Sequence, residues 1–373
     1  MNYYDLNIAF DWSKQWPGYV CGFCSAFLLT YLCTPLCRII AIKFGIVDLP
    51  DERKIHLEAI PRLGGVGFYI ALLITLLLIL FVFPELWHGE FIGLVFGALL
   101  IVLLGVVDDV IGLGATIKFG FQILVGYVAY KSGFRIEKLT NPFGGTFEII
   151  WLSEILSILW FVGLMNAINL VDGLDGLASG IVFIASAGML ATAFMETDPV
   201  ICLFSFILMG ITLAFLRYNF HPAKIFMGDS GSLLLGYLIA AISILGQSKG
   251  VTAITLLVPL VALGLPILDT ALAILRRLMQ GKHLFQADQG HLHHRLIKIG
   301  LSQKQVVILV YLVCIYLSLT AFMLSELPPG YTLLVLIVLA TGFFIFMEIL
   351  KFMEAKIEEV LKLQNNNSND DKD

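Results

Sequence analysis

SEILSILWFVGLMNAINLVDGLDGLASGIVFIASAGMLATAF, residues 153–194, decides how the whole chain is read. Its flanks are apolar over the length of a bilayer-spanning helix, about 20 residues. Its middle, NAINLVDGLDGLASG (166–180), sets Asn166, Asn169, Asp172 and Asp175 three residues apart. That spacing drifts about 60° per step around a helix of 3.6 residues per turn, so Asn166 and Asn169 share a face and Asp175 would point away. The two Asp-Gly pairs favour turns and positive φ. The helix is therefore expected to end near Asp172 and the chain to turn, with the four polar side chains converging on one pocket. Capping and turn chemistry is the competing use for any one of them.

The rest of the chain has the same character. It has 373 residues, 59% hydrophobic and 14% charged, where a soluble domain carries roughly 25% charged residues. Its mean hydropathy is +0.92. No water-compatible surface can be made from this composition, so an all-α integral membrane protein is expected. The apolar stretches do not alternate, which excludes an outer-membrane barrel. The net charge of -5 resides in loops and gives no nucleic-acid footprint. The six cysteines fall in apolar segments and read as small buried hydrophobes, Cys21 and Cys24 included. The N-terminal MNYYDLNIAFDWSKQW has no basic region before an apolar one, so no cleaved signal peptide is expected.

A polytopic bundle of about 11 spans is predicted, near 18–41, 64–83, 91–107, 117–131, 154–172, 177–195, 199–216, 230–247, 252–275, 305–325 and 331–350. Residues 1–361 read as one integral membrane domain. The polar tail 362–373 (KLQNNNSNDDKD) is expected to be disordered. Between the fourth and fifth spans, NPFGG separates two β-favouring runs, so a small external hairpin is expected. With the N-terminus outside and the C-terminus cytoplasmic, 18 of the 23 basic residues lie on the inner side, as the positive-inside rule requires.

That orientation also collects the polar clusters on one face. Asp108 and Asp109 follow the third span in GVVDDVIGL; Asn169, Asp172 and Asp175 close the fifth; Asn219 and Asp229 lie in RYNFHPAKIFMGDSGSLLLG; and HLHHRL (291–296) lies between the ninth and tenth. A cytoplasmic-face active site accounts for this. Adjacent carboxylates raise one another's pKa unless a cation lies nearby. Oxygen donors from separate segments suit Mg²⁺, which binds through one or two carboxylates, waters and substrate phosphates. No cysteine lies near, and His291, His293 and His294 beside Arg295 read as donors to a phosphate or sugar rather than zinc ligands. Asp269, in LGLPILDTALAIL, is an intramembrane carboxylate. It is a functional candidate by default, and a kink at Pro266 would bring it toward the pocket. The rival class is a secondary transporter, whose ion and substrate residues belong near the bilayer midplane on broken helices in inverted repeats. No internal repeat is evident here, and only Asp269 lies deep.

Together RKIHLEAIPRLGG (53–65), VVDDVIGL (106–113), NAINLVDGLDGLASG, RYNFHPAKIFMGDSGSLLLG (217–236) and HLHHRL resemble the polyprenyl-phosphate N-acetylhexosamine-1-phosphate transferase family, of glycosyltransferase 4 type. The resemblance runs from about residue 20 to 350. It implies transfer of a sugar-1-phosphate from a UDP-sugar to a polyprenyl phosphate, with release of UMP, in the bacterial inner membrane. The interrupted histidine run and the RKIH…PRLGG loop resemble the branch that uses UDP-GlcNAc and undecaprenyl phosphate and starts lipid-linked envelope glycans. The branch that uses UDP-MurNAc-pentapeptide is the alternative; it typically shows three consecutive histidines, where Leu292 stands here. The resemblance places Asn169 and Asp229 on Mg²⁺, with Mn²⁺ as a substitute, and Asp108 and Asp109 beside the attacking phosphate. Some members carry a lysine where Gly112 stands, so Lys118 is the candidate for the diphosphate contact. Asn166, Asp172 and Asp175 join the substrate pocket, Asn219 and Phe226 hold uridine, and His291, His293, His294 and Arg295 cap the sugar and phosphate. Arg53, Lys54, His56, Arg62 and Asp269 are further candidates, the first four toward anionic lipid or diphosphate. Membrane lipids and a second copy of the chain are the remaining candidate partners.

Overall fold

The computed structural model describes residues 12–50, 58–140, 146–245, 257–279, 292–327 and 329–370. The chain is an all-α polytopic membrane protein. Nine of the described helices are long and apolar enough to cross a bilayer. They belong to α1 (Trp12–Lys43), α2 (Gly64–Val82), α3 (Glu90–Ile111), α5 (Ser153–Val171), α6 (Leu177–Glu196), α7 (Pro199–Asn219), α8 (Gly228–Leu245), α12 (Gln303–Glu326) and α13 (Pro329–Asp370).

Two of the eleven predicted spans differ. The fourth is present as α4 (Ala115–Lys131), a helix of 17 residues and marginal in length. The ninth is not one helix. It divides into α9 (Leu257–Ala262) and α10 (Gly264–Met279), with a break at Leu263. Pro266 does not kink a helix interior; it sits in the first turn of α10, where the missing N–H would have no helical partner in any case. The polar stretch from Lys362, expected to be disordered, continues α13 as far as Asp370; EEVLKL supplies good helix formers up to it.

α8 is the axis of the bundle. It packs on α2, α3 and α5, and all but its first two residues and its last are buried. α1 lies along α7, and α7 along α6, with α12 behind α6. The start of α7 shows how local sequence sets an end: Asp198 accepts from Val200 N (2.9 Å) and Ile201 N (3.0 Å), with Pro199 at the first helical position. Beyond α4, strands β3 (Lys138–Thr140) and β4 (Thr146–Glu148) pair antiparallel, Leu139 opposite Phe147, as the hairpin reading expects. Its NPFGG turn lies outside the described residues. A second small ribbon, β1 (Val47–Asp48) with β2 (Ile60–Pro61), links α1 to α2 at the other end.

Candidate active site

Four helix ends meet beside the β1–β2 ribbon: the C-termini of α3 and α5 and the N-termini of α4 and α8. α3 stops at Ile111 because Gly112 adopts a left-handed φ of 67° and returns its N–H to the Asp108 carbonyl at 2.8 Å. The Asp108 carboxylate faces the resulting turn. Oδ1 accepts from Leu113 N (2.6 Å) and Oδ2 from Lys118 Nζ (2.8 Å), in the first turn of α4. The same ammonium also bonds Asp229 Oδ2. Asp229 Oδ1 accepts from Asn169 Nδ2 (3.1 Å), which also donates to Ser232 Oγ (2.9 Å). Thus Asp108, Lys118, Asp229 and Asn169, from four helices, form one connected cluster.

Other predicted site residues take structural positions. Asp109 caps α8: Oδ1 accepts from Asp229 N (2.8 Å), and Oδ2 from Ser230 N (3.2 Å) and Ser230 Oγ (2.9 Å). A carboxylate at a helix N-terminus satisfies orphan N–H groups and complements the dipole. Both its oxygens are engaged, so Asp109 holds Asp229 in place rather than lying open beside Asp108. Asn166 is spent on Gln122: its Nδ2 donates to Gln122 Oε1 (2.6 Å) and to Val162 O (2.8 Å). Gln122 lies one turn beyond Lys118, so this amide pair fixes the helix that carries the ammonium. Asp175 accepts from Ala223 N (3.0 Å) and pairs with His221 Nδ1 (2.8 Å). Asn219 is 2% exposed, with Oδ1 accepting from Gly176 N (3.0 Å) and Nδ2 donating to Ile225 O (3.0 Å). Both ends of its amide are engaged inside the protein. Asp175 and Asn219 clasp the DGLDG turn onto the 219–226 loop.

That loop is stitched to the ribbon. Phe226 N donates to Pro61 O (2.8 Å), and Phe226 O accepts from Gly64 N (3.2 Å), leaving the Phe226 ring half-buried. Arg62 is ion-paired to the buried Asp48, so its guanidinium serves the ribbon. Asp172, just past the end of α5, is pushed up to about 8, by burial first and then by the charges of Asp229 and Asp109. Arg62 works against that rise.

Asp269 does not reach the cluster; its Oδ1 accepts from Leu292 N (3.0 Å) at the start of α11 (Leu292–Lys298). Arg295 is gripped by Glu354 of α13 instead of standing free for a phosphate. Only the backbone of His293 and His294 is described, within α11. Arg53, Lys54, His56 and His291 lie outside the described residues. Gln122, Ser230, Ser232 and Glu354 escaped the sequence reading. Gln122 carried a signal, a lone amide four residues after Lys118 in an apolar helix. Glu354, far along the last helix, carried none.

Among the described residues no three His, Cys, Asp or Glu side chains form a ready cation cage. The cluster's oxygen donors are the carboxylates of Asp108 and Asp229 and the side-chain carbonyl of Asn169. A short, oxygen-only set fits Mg²⁺ arriving with a diphosphate that completes its shell, and does not fit a protein-only cage.

Polar side chains at the ends of spanning helices, joined around one ammonium, define a membrane enzyme rather than a carrier built around the bilayer midplane. The comparisons agree. A family model described as glycosyl transferase family 4 matches residues 91–247, which hold Asp108, Lys118, Asn169 and Asp229. A Bacillus subtilis (strain 168) protein named "Probable undecaprenyl-phosphate N-acetylglucosaminyl 1-phosphate transferase" is 37% identical over 344 residues, 92% of this chain and 94% of its own. A decaprenyl-phosphate N-acetylglucosaminephosphotransferase of Mycolicibacterium smegmatis is 36% identical over 84% of this chain and 83% of its own. A phospho-N-acetylmuramoyl-pentapeptide-transferase of Listeria monocytogenes is 35% identical over 74% of this chain and 89% of its own. The chain belongs to glycosyl transferase family 4, and it is a phosphoglycosyltransferase.

Proposed function

We propose that this enzyme transfers N-acetylglucosamine-1-phosphate from UDP-GlcNAc to undecaprenyl phosphate, giving undecaprenyl-diphospho-GlcNAc and UMP. The observation that carries the reading is the Lys118 ammonium shared by Asp108 and Asp229, with Asn169 beside it, at the end of the bundle. Such a group meets a lipid phosphate entering from the bilayer and a nucleotide sugar entering from water. The bias of basic residues toward the loops at this end supports a site that faces the cytoplasm from a bacterial inner membrane. The interrupted histidine run favours GlcNAc over the pentapeptide donor. The product begins a lipid-linked envelope glycan.

The acceptor is a phosphate monoester with a second pKa near about 6, so at neutral pH it is mostly dianionic and already nucleophilic. One of its oxygens attacks the β-phosphorus of the donor in line. The P–O bond to the bridging oxygen breaks, and UMP leaves with that oxygen. Two dianions react and two dianions leave, so no proton need move. Lys118 neutralises charge on the phosphates as they meet. Asp108 orients that ammonium, and its own oxygens, already bonded to Leu113 N and Lys118, suit orientation better than proton abstraction. Asp109 and Ser230 hold the start of α8, and Asn169 orients Asp229. Mg²⁺ held by Asp229 and Asn169 would supply further charge neutralisation at the diphosphate; Mn²⁺ would substitute. A two-step route through an aspartyl phosphate on Asp108 is the competing mechanism.

The test is UMP release by purified protein with undecaprenyl phosphate and Mg²⁺, comparing UDP-GlcNAc, UDP-GalNAc and UDP-MurNAc-pentapeptide. Release with UDP-GlcNAc alone, abolished by EDTA and by Asp229→Ala, is expected. Release only with the pentapeptide donor would overturn the donor assignment. Phosphorylated enzyme trapped by UDP-GlcNAc without lipid, and lost in Asp108→Asn, would overturn the direct route.

A further inference from the structure

α11 has seven residues, too few to hold a helix by itself. Its neighbours fix it at three points. Leu292 (6% exposed) and Leu296 (2% exposed), one turn apart, are buried in the core. The N–H of Leu292, one of the first-turn donors that a helix leaves unpaired, donates to Asp269 Oδ1 at 3.0 Å. Arg295 is held fork to fork: Nε to Glu354 Oε1 at 2.8 Å and an Nη to Oε2 at 2.7 Å, both side chains largely buried. Such a bidentate pair fixes orientation as well as distance. Positions 293 and 294 lie between these anchors. Two carboxylates, one from α10 and one from α13, therefore set the register of the histidine pair. α13 otherwise leaves most of its apolar surface exposed, and this grip is its strongest described polar tie to the bundle.

We propose that Glu354 and Asp269 are positioning residues for sugar-phosphate transfer, acting by holding α11 in place. Arg295 then serves as the handle by which α13 holds the histidines, and not as a phosphate ligand. The inference rests on the transferase reading for its activity readout. It also makes a claim about α11 that holds whatever the substrate.

The experiment uses the full chain in detergent, with Glu354→Gln, Asp269→Leu, Asp269→Asn and the reversed pair Arg295→Glu/Glu354→Arg. Glu354→Gln breaks the fork, and Asp269→Leu removes the acceptor. Each is expected to lower kcat/KM by about 10²-fold, the scale of an ångström's misplacement of reacting groups. The loss should fall mainly on kcat. Asp269→Asn keeps an acceptor oxygen and should stay within a few-fold of the parent, and the reversed pair should recover most of the loss from Glu354→Gln. If Arg295 were instead a phosphate ligand with Glu354 its competitor, Glu354→Gln would leave kcat intact and the reversed pair would be dead; that result overturns the proposal. Amide exchange over residues 292–298 is the second readout. It should quicken in Glu354→Gln and Asp269→Leu, and unchanged exchange in both overturns the proposal, even if either variant loses activity. A parent protein inactive with every donor would overturn the transferase reading instead, and the exchange result would still decide the anchoring.

Discussion

A single methyl group placed on α3 should disable this enzyme. Gly105 lies one turn before Asp108 and Asp109, where α3 crosses the start of α8. A Cβ there would stand 2.7 Å from the carbonyl carbon of Asp229, and closer still to the N and Cα of Ser230. Non-bonded carbons rest at about 3.5–4.0 Å, so Gly105→Ala forces the helices apart by about 1 Å. The obstacle is backbone on both sides and no rotamer change relieves it. The Asp109–Asp229 N contact, now 2.8 Å, would then open beyond hydrogen-bond range. Overpacking of this kind costs about 1–3 kcal/mol of stability. The displacement of Asp229 from Lys118 and Asn169 should cost about 10²-fold in kcat. The control is Gly163→Ala on α5, between Phe161 and Asn166, where an added Cβ meets nothing within 4 Å. It should leave turnover unchanged and, by helix propensity, add up to about 1 kcal/mol. The assay is UMP release together with thermal unfolding of both variants. Full activity in Gly105→Ala would refute the claim that α3–α8 contact sets the position of Asp229.

Lys118→Gln should lower kcat by about 10²–10³, the usual loss for one removed charge-stabilising donor, and lower the unfolding temperature as well, because Asp108 and Asp229 lose their shared cation; steady-state UMP release and thermal unfolding read the two effects. Asn219→Leu keeps the branched heavy-atom skeleton but leaves the Gly176 N–H and the Ile225 carbonyl unpaired. At about 1–3 kcal/mol for each unsatisfied buried group it should be among the most destabilising single changes near the site, measured by thermal unfolding. Asp172 carries the pH dependence. Its folded value of about 8 lies above the ordinary carboxylate value, so the folded state holds a proton that the unfolded state gives up. Its contribution to stability is complete in acid and is lost as pH rises through about 8. Unfolding temperature of the metal- and substrate-free protein should therefore fall between pH 5 and 9, and Asp172→Asn should flatten that fall.

Much of the site was legible because membrane chemistry leaves few polar residues to choose from. Asp108, Asn169 and Asp229 stand out against apolar flanks, and the end of α5 at Val171 follows from DGLDG as read. What sequence could not divide was structural polarity from chemical polarity within one motif. Asp108 and Asp109 are neighbours in sequence, yet one meets the ammonium and the other caps α8. That split depends on which helix packs against which face, a tertiary fact. Asn219 and Asp175 look like ligand residues for the same reason, since buried loop closures use the side chains that bind substrates. The ninth span misled by its apolar composition, although Pro259, Gly264 and Pro266 marked a break there. Glu354 was invisible because its partner lies 59 residues away on a helix of unrelated pattern.

The most direct test of the account follows the phosphorus. The protein is given UDP-GlcNAc labelled with ³²P in the β position, with undecaprenyl phosphate and Mg²⁺, and lipid and aqueous products are separated. The account predicts label in the lipid fraction in step with unlabelled UMP in water, both lost in Asp229→Ala. Label remaining in water as UDP while the sugar alone moves to lipid would contradict it, because the bond broken would then be the glycosidic one.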